Sequence, residues 1–570
     1  MLVSAKESQK GQIIAKNKEA EYYKKINKSF DVLGAVYKEL TLSYLLDVDP
    51  EELMKSAIDG MVKRLDPYTV YYAYEDNDKI DYLNEESYVG FGITVFRVDS
   101  TIYIRSIKKG YGAEEAGLKI GDIIHSIDGV VVENFPIDSL RDFTRGEENT
   151  IARVRVLRGN LPKDTISLNV ERLDVEGSAI SHVTMLSDDV AYVAIDRFSR
   201  GMANRVGSLL RELKKEYQEF NPNSNSLLNI IIDLRGNPGG LLSEAVELSE
   251  LFLPKGSEIV STVGKNDVVI ANYDVTRDPE FPDSKIAVLL DGYSASASEV
   301  FAGAIQDNDR GIVLGEESFG KGLVQNYARL PFGAKLKLTT ANYFTPSGRS
   351  IQRVNFQNSI FSDEQTEAWS AAESDTNKFK SLSGRPLTVH TGIRPDSSVN
   401  SFDYDEKLQQ VLNPSFAFEF FATQSVYDST FALNQSLSEN TWNKFLEFIN
   451  EERLYPYSSD FRRIAEVQSE LEDWGENSEA FQQSERLKEA YISSLRSLLN
   501  DNQKTAKLFL KFEALRHNLK ADEYTGFVLS KDNIVTTAMS LFRDSGYSDI
   551  LKPITEVSIP DNPSEFDKQH

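Results

Sequence analysis

The stretch "DGYSASASEVFAGAIQD", residues 291–307, sets Ser294, Ser296 and Ser298 on alternate positions and then falls into a helical apolar rhythm. Ser296 and Glu299 fit the S-x-x-E capping box, and Ala297, Val300, Phe301, Ala304 and Ile305 recur at helical spacing, so a plain helix start accounts for these letters. The preceding "KIAVLLD" reads as a buried strand, though, and a strand, a tight turn containing Gly292 and a helix make the geometry of a nucleophile elbow. On such a turn Ser296 would sit beside helix N–H groups that have no internal partner. The N–H of Ala297 would then face the charge that develops on an attacked carbonyl.

Serine is a weak nucleophile and needs a base. The five histidines, His125, His182, His390, His517 and His570, are scattered and sit in no recognisable triad setting. A desolvated lysine is the other solution, and "EESFGKGLVQ" offers Lys321 between two glycines on a turn entering a strand. In that strand Lys321, Leu323 and Gln325 would share a face, so the Gln325 amide could orient the amine. An exposed turn lysine would be spelt the same way. "SFGK" also offers Ser318 in an S-x-x-K pattern, but the pattern recurs in "SIKK" at residues 106–109 and no K-T-G follows. A third segment, "DLRGNPGG", ends a buried strand in three glycines within five residues. As a phosphate loop it fails, because no G-K-[ST] follows; it reads as a plain turn or as a second oxyanion donor.

The elements that must carry these residues follow from periodicity. Residues 1–85 read as helices, with "PEELMKSAIDGMVKRL" opening on proline and acids as helix N-termini do, until Pro67 in "LDPYTVYY" breaks the pattern. From residue 86 to 172 short alternating strands such as "GFGITVF" and "ARVRVLRG" are separated by turns at "EEAGLKIGD" and "SIDG", a small β-domain. Residues 173–400 alternate buried strands with helices, and continuous apolar runs such as Ile230 to Ile232 suit strands covered on both faces. At its end, residues 355–405 are rich in Ser, Asn, Asp and Gly and read as an insertion or linker. Residues 401–570 return to helix, as in "FRRIAEVQSELEDW". The fold class expected is multidomain α+β: an α/β core with an inserted β-domain and helical N- and C-terminal regions.

Composition bounds the function. At 570 residues the chain exceeds one hydrophobic core. Its 40% apolar and 26% charged content is that of a globular protein. A net charge of −25 argues against nucleic acid or an anionic membrane surface as partner. There is no cysteine, which removes disulfides, thiol nucleophiles and thiolate metal sites, and no histidine pair has metal-ligand spacing. No metal or cofactor is expected. No stretch has the length and apolarity of a membrane span, and the first 25 residues lack the apolar core of a signal peptide.

Taken together, these motifs resemble the C-terminal processing, or tail-specific, proteases: serine endopeptidases with a Ser-Lys pair and an embedded PDZ domain. "LDPYTVYY", "GFGITVF", "GLKIGDIIHSIDG", "DLRGNPGG", "SASASEVFAGAIQD", "SFGKGLVQ", "TPSGRSIQ" and "TGIRPD" occur in family order over about residues 35–396. The resemblance implies Ser296 as nucleophile, Lys321 as general base, Gln325 as its orienting residue, and the N–H groups of Gly240 and Ala297 as the oxyanion hole. It further implies that Gly90, Phe91, Gly92 and Ile93 capture a chain-terminal carboxylate, with the following strand pairing to the substrate tail. Expected partners are proteins or peptides with exposed C-termini, and expected localisation is periplasmic or otherwise exported. The resemblance fades after residue 400, where amphipathic helices leave room for a regulatory adaptor or for self-association. A non-catalytic PDZ scaffold would not need "SFGKGLVQ", and another hydrolase on the same core would not need a carboxylate-binding domain.

Overall fold

In a computed structural model the described residues are 2–74, 87–98, 101–132, 140, 143–158, 164–176, 179–220, 228–355, 367–368, 379–389, 391–402, 406–424, 431–516, 519 and 521–552. His390, His517, His570 and much of the 355–405 segment lie outside them. The chain forms two compact units, one from Met1–Ile80, Leu323–Ala341 and Val354–Ala368, the other from Asp81–Gly322, Asn342–Arg353 and Trp369–His570.

The first unit carries helices Leu2–Ser43 and Pro50–Val62. The second of these begins where the sequence places it: Asp49 accepts from the N–H groups of Glu51 and Glu52 at 2.9 Å, and Pro50 opens the first turn. "LDPYTVYY" is a turn closed by Asp66, whose carboxylate accepts from the Tyr68 and Thr69 N–H groups at 2.8 Å. It hands over to strand Val70–Tyr72, which pairs antiparallel with Lys335–Phe344 in the register Val70 to Lys337. Strand Leu323–Arg329 also pairs with Lys335–Phe344.

In the second unit the β-domain is one antiparallel sheet in the order β1 (Ile93–Val98), β2 (Thr101–Ile107), β3 (Ile123–Ile127), β4 (Ile151–Arg158) and β5 (Asp164–Glu171). β4 alternates strictly, with Ala152, Val154 and Val156 buried among Ile102, Ile104, Ile124 and Ile127. β1 is an edge of this sheet.

The core sheet runs in the order β6 (Ile180–Ser187), β7 (Val190–Ile195), β8 (Asn229–Asp233), β9 (Ile286–Leu290), β10 (Ile312–Gly315) and β11 (Ser397–Ser398). β6 is antiparallel and the rest are parallel. Helices α1 (Met202–Phe220), α2 (Leu242–Ser249) and α3 (Ala297–Asp307) supply the crossovers. β8 and β9 are buried at every position, which explains their unbroken apolar spelling. One face carries Ile231, Ala287, Leu289, Ile312 and Leu314, and Ile534, Val535, Ala538 and Phe542 near the chain's end cover it.

The 355–405 segment is more than a linker. From residue 379 onward it belongs to the core: Arg385 pairs with Asp309 and Asp396 at 2.6 Å, and β11 extends the sheet. Helix α4 (Pro414–Gln424) opens the helical region, whose own core holds Phe416, Phe420, Trp442, Phe445 and Leu495. Among the described residues no helix is long and apolar enough to cross a membrane.

Candidate functional site

Chemistry of the expected kind requires three loops to meet at the C-terminal ends of the parallel strands, and in the second unit they do. The loop after β8 and the turn after β9 are zipped together by backbone. Ala295 N–H donates to the Asn237 carbonyl at 3.0 Å and Gly236 N–H to Asp291 Oδ1 at 2.9 Å. Two of the three alternating serines take part in this stitching. Ser294 Oγ donates to the Leu234 carbonyl at 2.9 Å, and Ser298 Oγ to the Asn237 carbonyl at 3.0 Å. Asp291 also accepts from the N–H groups of Tyr293 and Ser294 at 3.0 and 3.1 Å, which closes the turn.

Ser296 is different. It has φ 57° and ψ −112°, a strained backbone for a residue with a side chain, and it directly precedes α3. That is the elbow the sequence suggested. Burial pushes up the pKa of the Tyr343 phenol, and the Ser296 hydroxyl acts against that rise. Nothing in the sequence pattern singled out Tyr343, which sits in an ordinary alternating strand.

The glycine loop presses on this turn. A Cβ placed on Gly239 would lie 2.6 Å from the Ala295 carbonyl oxygen, 2.8 Å from Ser296 Cβ and 2.9 Å from the Ala297 nitrogen, so only glycine fits. Gly240, at φ 149°, is packed against the Phe198 carbonyl, where a Cβ would come within 2.2 Å. Asn237 holds the loop from inside: its Oδ1 accepts from Gly239 N–H and its Nδ2 donates to the Ile195 carbonyl, both at 2.8 Å. Among the described residues no hydrogen bond engages the N–H of Gly240 or of Ala297.

Lys321 stands just ahead of strand Leu323–Arg329 and not within it. Its turn lies along residues 351–353. Gly320 carbonyl accepts from Arg353 N–H at 2.9 Å, and Gly322 N–H donates to Gln352 Oε1 at 2.8 Å. The side chains of Arg353 and Gln352 occupy the space that a Cβ on Gly320 or Gly322 would need. The nucleophile turn and the lysine turn share one anchor, the carboxylate of fully buried Glu299. Its Oε2 accepts from the N–H groups of Ser296 at 2.8 Å and Lys321 at 2.9 Å. Its Oε1 accepts from Ser318 Oγ at 2.5 Å and Gly320 N–H at 2.7 Å. Burial raises the Glu299 pKa, and those hydrogen bonds act against the rise. The capping-box reading found one of these four contacts; the other three come from a segment about 20 residues on. Ser318 therefore serves as a ligand of Glu299. Gln325 falls in the other compact unit, on strand Leu323–Arg329, where its Nε2 is buried without a hydrogen-bond partner.

At the expected tail-binding loop, Gly90 ends strand Ser87–Gly90 and Ile93 begins edge strand β1. Gly92 has φ 77° against Tyr111, and the Phe91 side chain is buried in the β-domain core. Among the described residues no cluster of His, Cys, Asp or Glu could hold a metal ion.

Comparison with known proteins gives three family matches: peptidase family S41 over residues 189–360, a PDZ domain over residues 80–156, and the N-terminal domain of the activating protease CtpB over residues 2–76. A carboxy-terminal-processing protease of Bartonella bacilliformis is 31% identical over 343 residues, which is 60% of this chain and 76% of that one. A probable CtpA-like serine protease of Staphylococcus aureus is 31% identical over 354 residues, 62% of this chain and 66% of that one. Among solved structures, the photosystem II D1 C-terminal processing protease is similar over 64% of this chain and 85% of its own, with 21% identity and a TM-score of 0.37.

Proposed function

We infer the division of labour in this active site from the premise that the chain belongs to peptidase family S41 and, within it, to the carboxy-terminal-processing proteases. It is a serine endopeptidase with a PDZ domain that takes peptide substrates. Within that activity Ser296 is the nucleophile and neutral Lys321 its general base, with Gln325 orienting the amine, a role carried over from the family. Lys321 removes the Ser296 proton as Oγ attacks the scissile carbonyl. The oxyanion settles on the N–H groups of Gly240 and Ala297, the amine leaves with the proton, and water releases the acyl-enzyme. Gly90, Phe91, Gly92 and Ile93 hold the substrate's terminal carboxylate while β1 pairs with its tail.

Residues 86–172 thus select the tail and residues 173–400 cut it, between helical regions 1–85 and 401–570. The resemblance to exported processing proteases carries the reading of an exported, periplasm-like compartment, with which a cysteine-free composition is compatible. One observation carries the site assignment: the strained Ser296 turn, the glycine loop and the Lys321 backbone converge on one another through the contacts of Gly239 and Glu299. A fluorophosphonate probe, applied with a tail peptide present, tests it. The adduct is expected on Ser296 in the wild type and is expected to vanish in Ser296→Ala and in Lys321→Ala, both folded. An adduct on another serine, or wild-type labelling of Lys321→Ala, overturns the assignment.

A further inference from the structure

Glu299 is spent in an unusual way. A carboxylate at the third position of a helix normally returns to the cap residue's N–H with one oxygen. Here both oxygens are saturated, two donors on each, and the donors come from two separate segments: Ser296 on one side, and Ser318, Gly320 and Lys321 on the other. All four partners are donors. Ser318 Oγ also accepts from Ile393 N–H at 2.7 Å, which fixes that hydroxyl in place. The four donors and the adjoining N-terminus of α3 favour the anion against the burial that opposes it. The group therefore acts as a buried anion whose geometry is fixed by four charge-assisted bonds.

We propose that Glu299 is a positioning residue for the reaction: its carboxylate sets the spacing between the nucleophile turn and the base turn by gripping the backbone N–H groups of Ser296 and Lys321 on a single oxygen. Glu299 touches no substrate and moves no proton. It acts through the two residues that do, so its loss shows in the chemical step while substrate capture by the distant PDZ domain is untouched. Ser318 seconds it, by fixing the other oxygen. This inference rests on the Ser296–Lys321 reading, and the control below separates the two.

The test compares wild type with Glu299→Gln, Ser318→Ala and Ser296→Ala, using steady-state cleavage of a free-tail peptide, the fluorophosphonate labelling rate, circular dichroism and peptide affinity. In Glu299→Gln the amide group meets N–H donors with a donor of its own. A displacement of about 1 Å between reacting groups lowers kcat about 100-fold. That loss is expected with KM, peptide affinity and the spectrum unchanged, and with labelling slowed in parallel. Ser318→Ala leaves the carboxylate in place with one bond fewer, and about a fivefold loss in kcat is expected. Wild-type kcat per labelled site in folded Glu299→Gln overturns the proposal. Should that variant not fold, unchanged kcat and labelling rate in Ser318→Ala overturn it instead. Retained cleavage by Ser296→Ala sinks the underlying site assignment, whereas an inactive Ser296→Ala beside a fully active Glu299→Gln sinks the positioning role alone.

Discussion

Three serines of like spelling end in two different settings, and the reason is backbone, not side chain. Ser294 and Ser298 spend their hydroxyls on carbonyls of the glycine loop, while Ser296 alone carries the positive φ that turns a hydroxyl outward from a helix start. The capping box and the elbow predict the same local letters, so the sequence could separate them only through Lys321. Tyr343 and the fourfold use of Glu299 were not legible, since both depend on which distant segment packs against α3. The raised pKa of Glu299 has a readable consequence for stability. Just above the ordinary carboxylate value of 4.5 the unfolded chain loses this proton, whereas the folded chain keeps it until its own higher value is passed and is the anion beyond that. Stability from this group is thus fully present below that value and is lost as pH rises through the folded value. Chemical denaturation of wild type and Glu299→Gln across this range is expected to give a stability difference that falls with pH and then levels. A difference that rises, or stays flat throughout, contradicts the burial of a titrating Glu299.

At the scale of elements, periodicity told most of the story. β4 alternates because one of its faces packs on the β-domain core, and β8 and β9 do not alternate because both of their faces are covered. Segment 355–405 misled for the opposite reason. Arg385 and Asp396 are polar yet lie inside, Arg385 pairing with both Asp309 and Asp396, and composition alone cannot tell a buried ion pair from a solvated loop. Arg349 makes the same point, fully buried and 2.7 Å from Asp307 at the far end of α3. The glycine loop is the element most tightly specified by the site. Gly239→Ala puts a methyl group into the Ser296 turn at φ 98°. It is expected to lower kcat by about 100-fold or more, the size of an oxyanion-hole loss, with the tail affinity of the PDZ domain unchanged. Cleavage kinetics beside peptide binding check this, and a Gly239→Ala enzyme with wild-type kcat would show that the loop does not meet the nucleophile turn.

Within the second unit, the helical region touches both of the functional domains. Phe418 on α4 is buried edge-on against Phe96 of β1 at 5.5 Å and Tyr103 of β2 at 6.3 Å, and the Arg105 guanidinium lies 5.2 and 5.4 Å from the Phe96 and Phe418 rings. On the core side, Arg235 of "DLRGNPGG" pairs with Asp233 at 2.5 Å and with Asp532, the cap of α5 (Asn533–Arg543), at 2.6 Å. Neither joint was legible, because α4 and α5 meet their partners across hundreds of residues and their own apolar stripes name no partner. The order of domains and the peptidase motifs were legible, since each is local. In the proposed function, what unites the domains is a single activity, cutting chains that present a free C-terminus. That claim is tested most directly by comparing kcat/KM for one substrate peptide with a free C-terminal carboxylate and for the same peptide amidated there. With Gly90 to Ile93 as the carboxylate-binding loop, as proposed above, efficient cleavage of the free-tail peptide is expected, with a loss of at least about tenfold on amidation. Equal kcat/KM for the two peptides would contradict it.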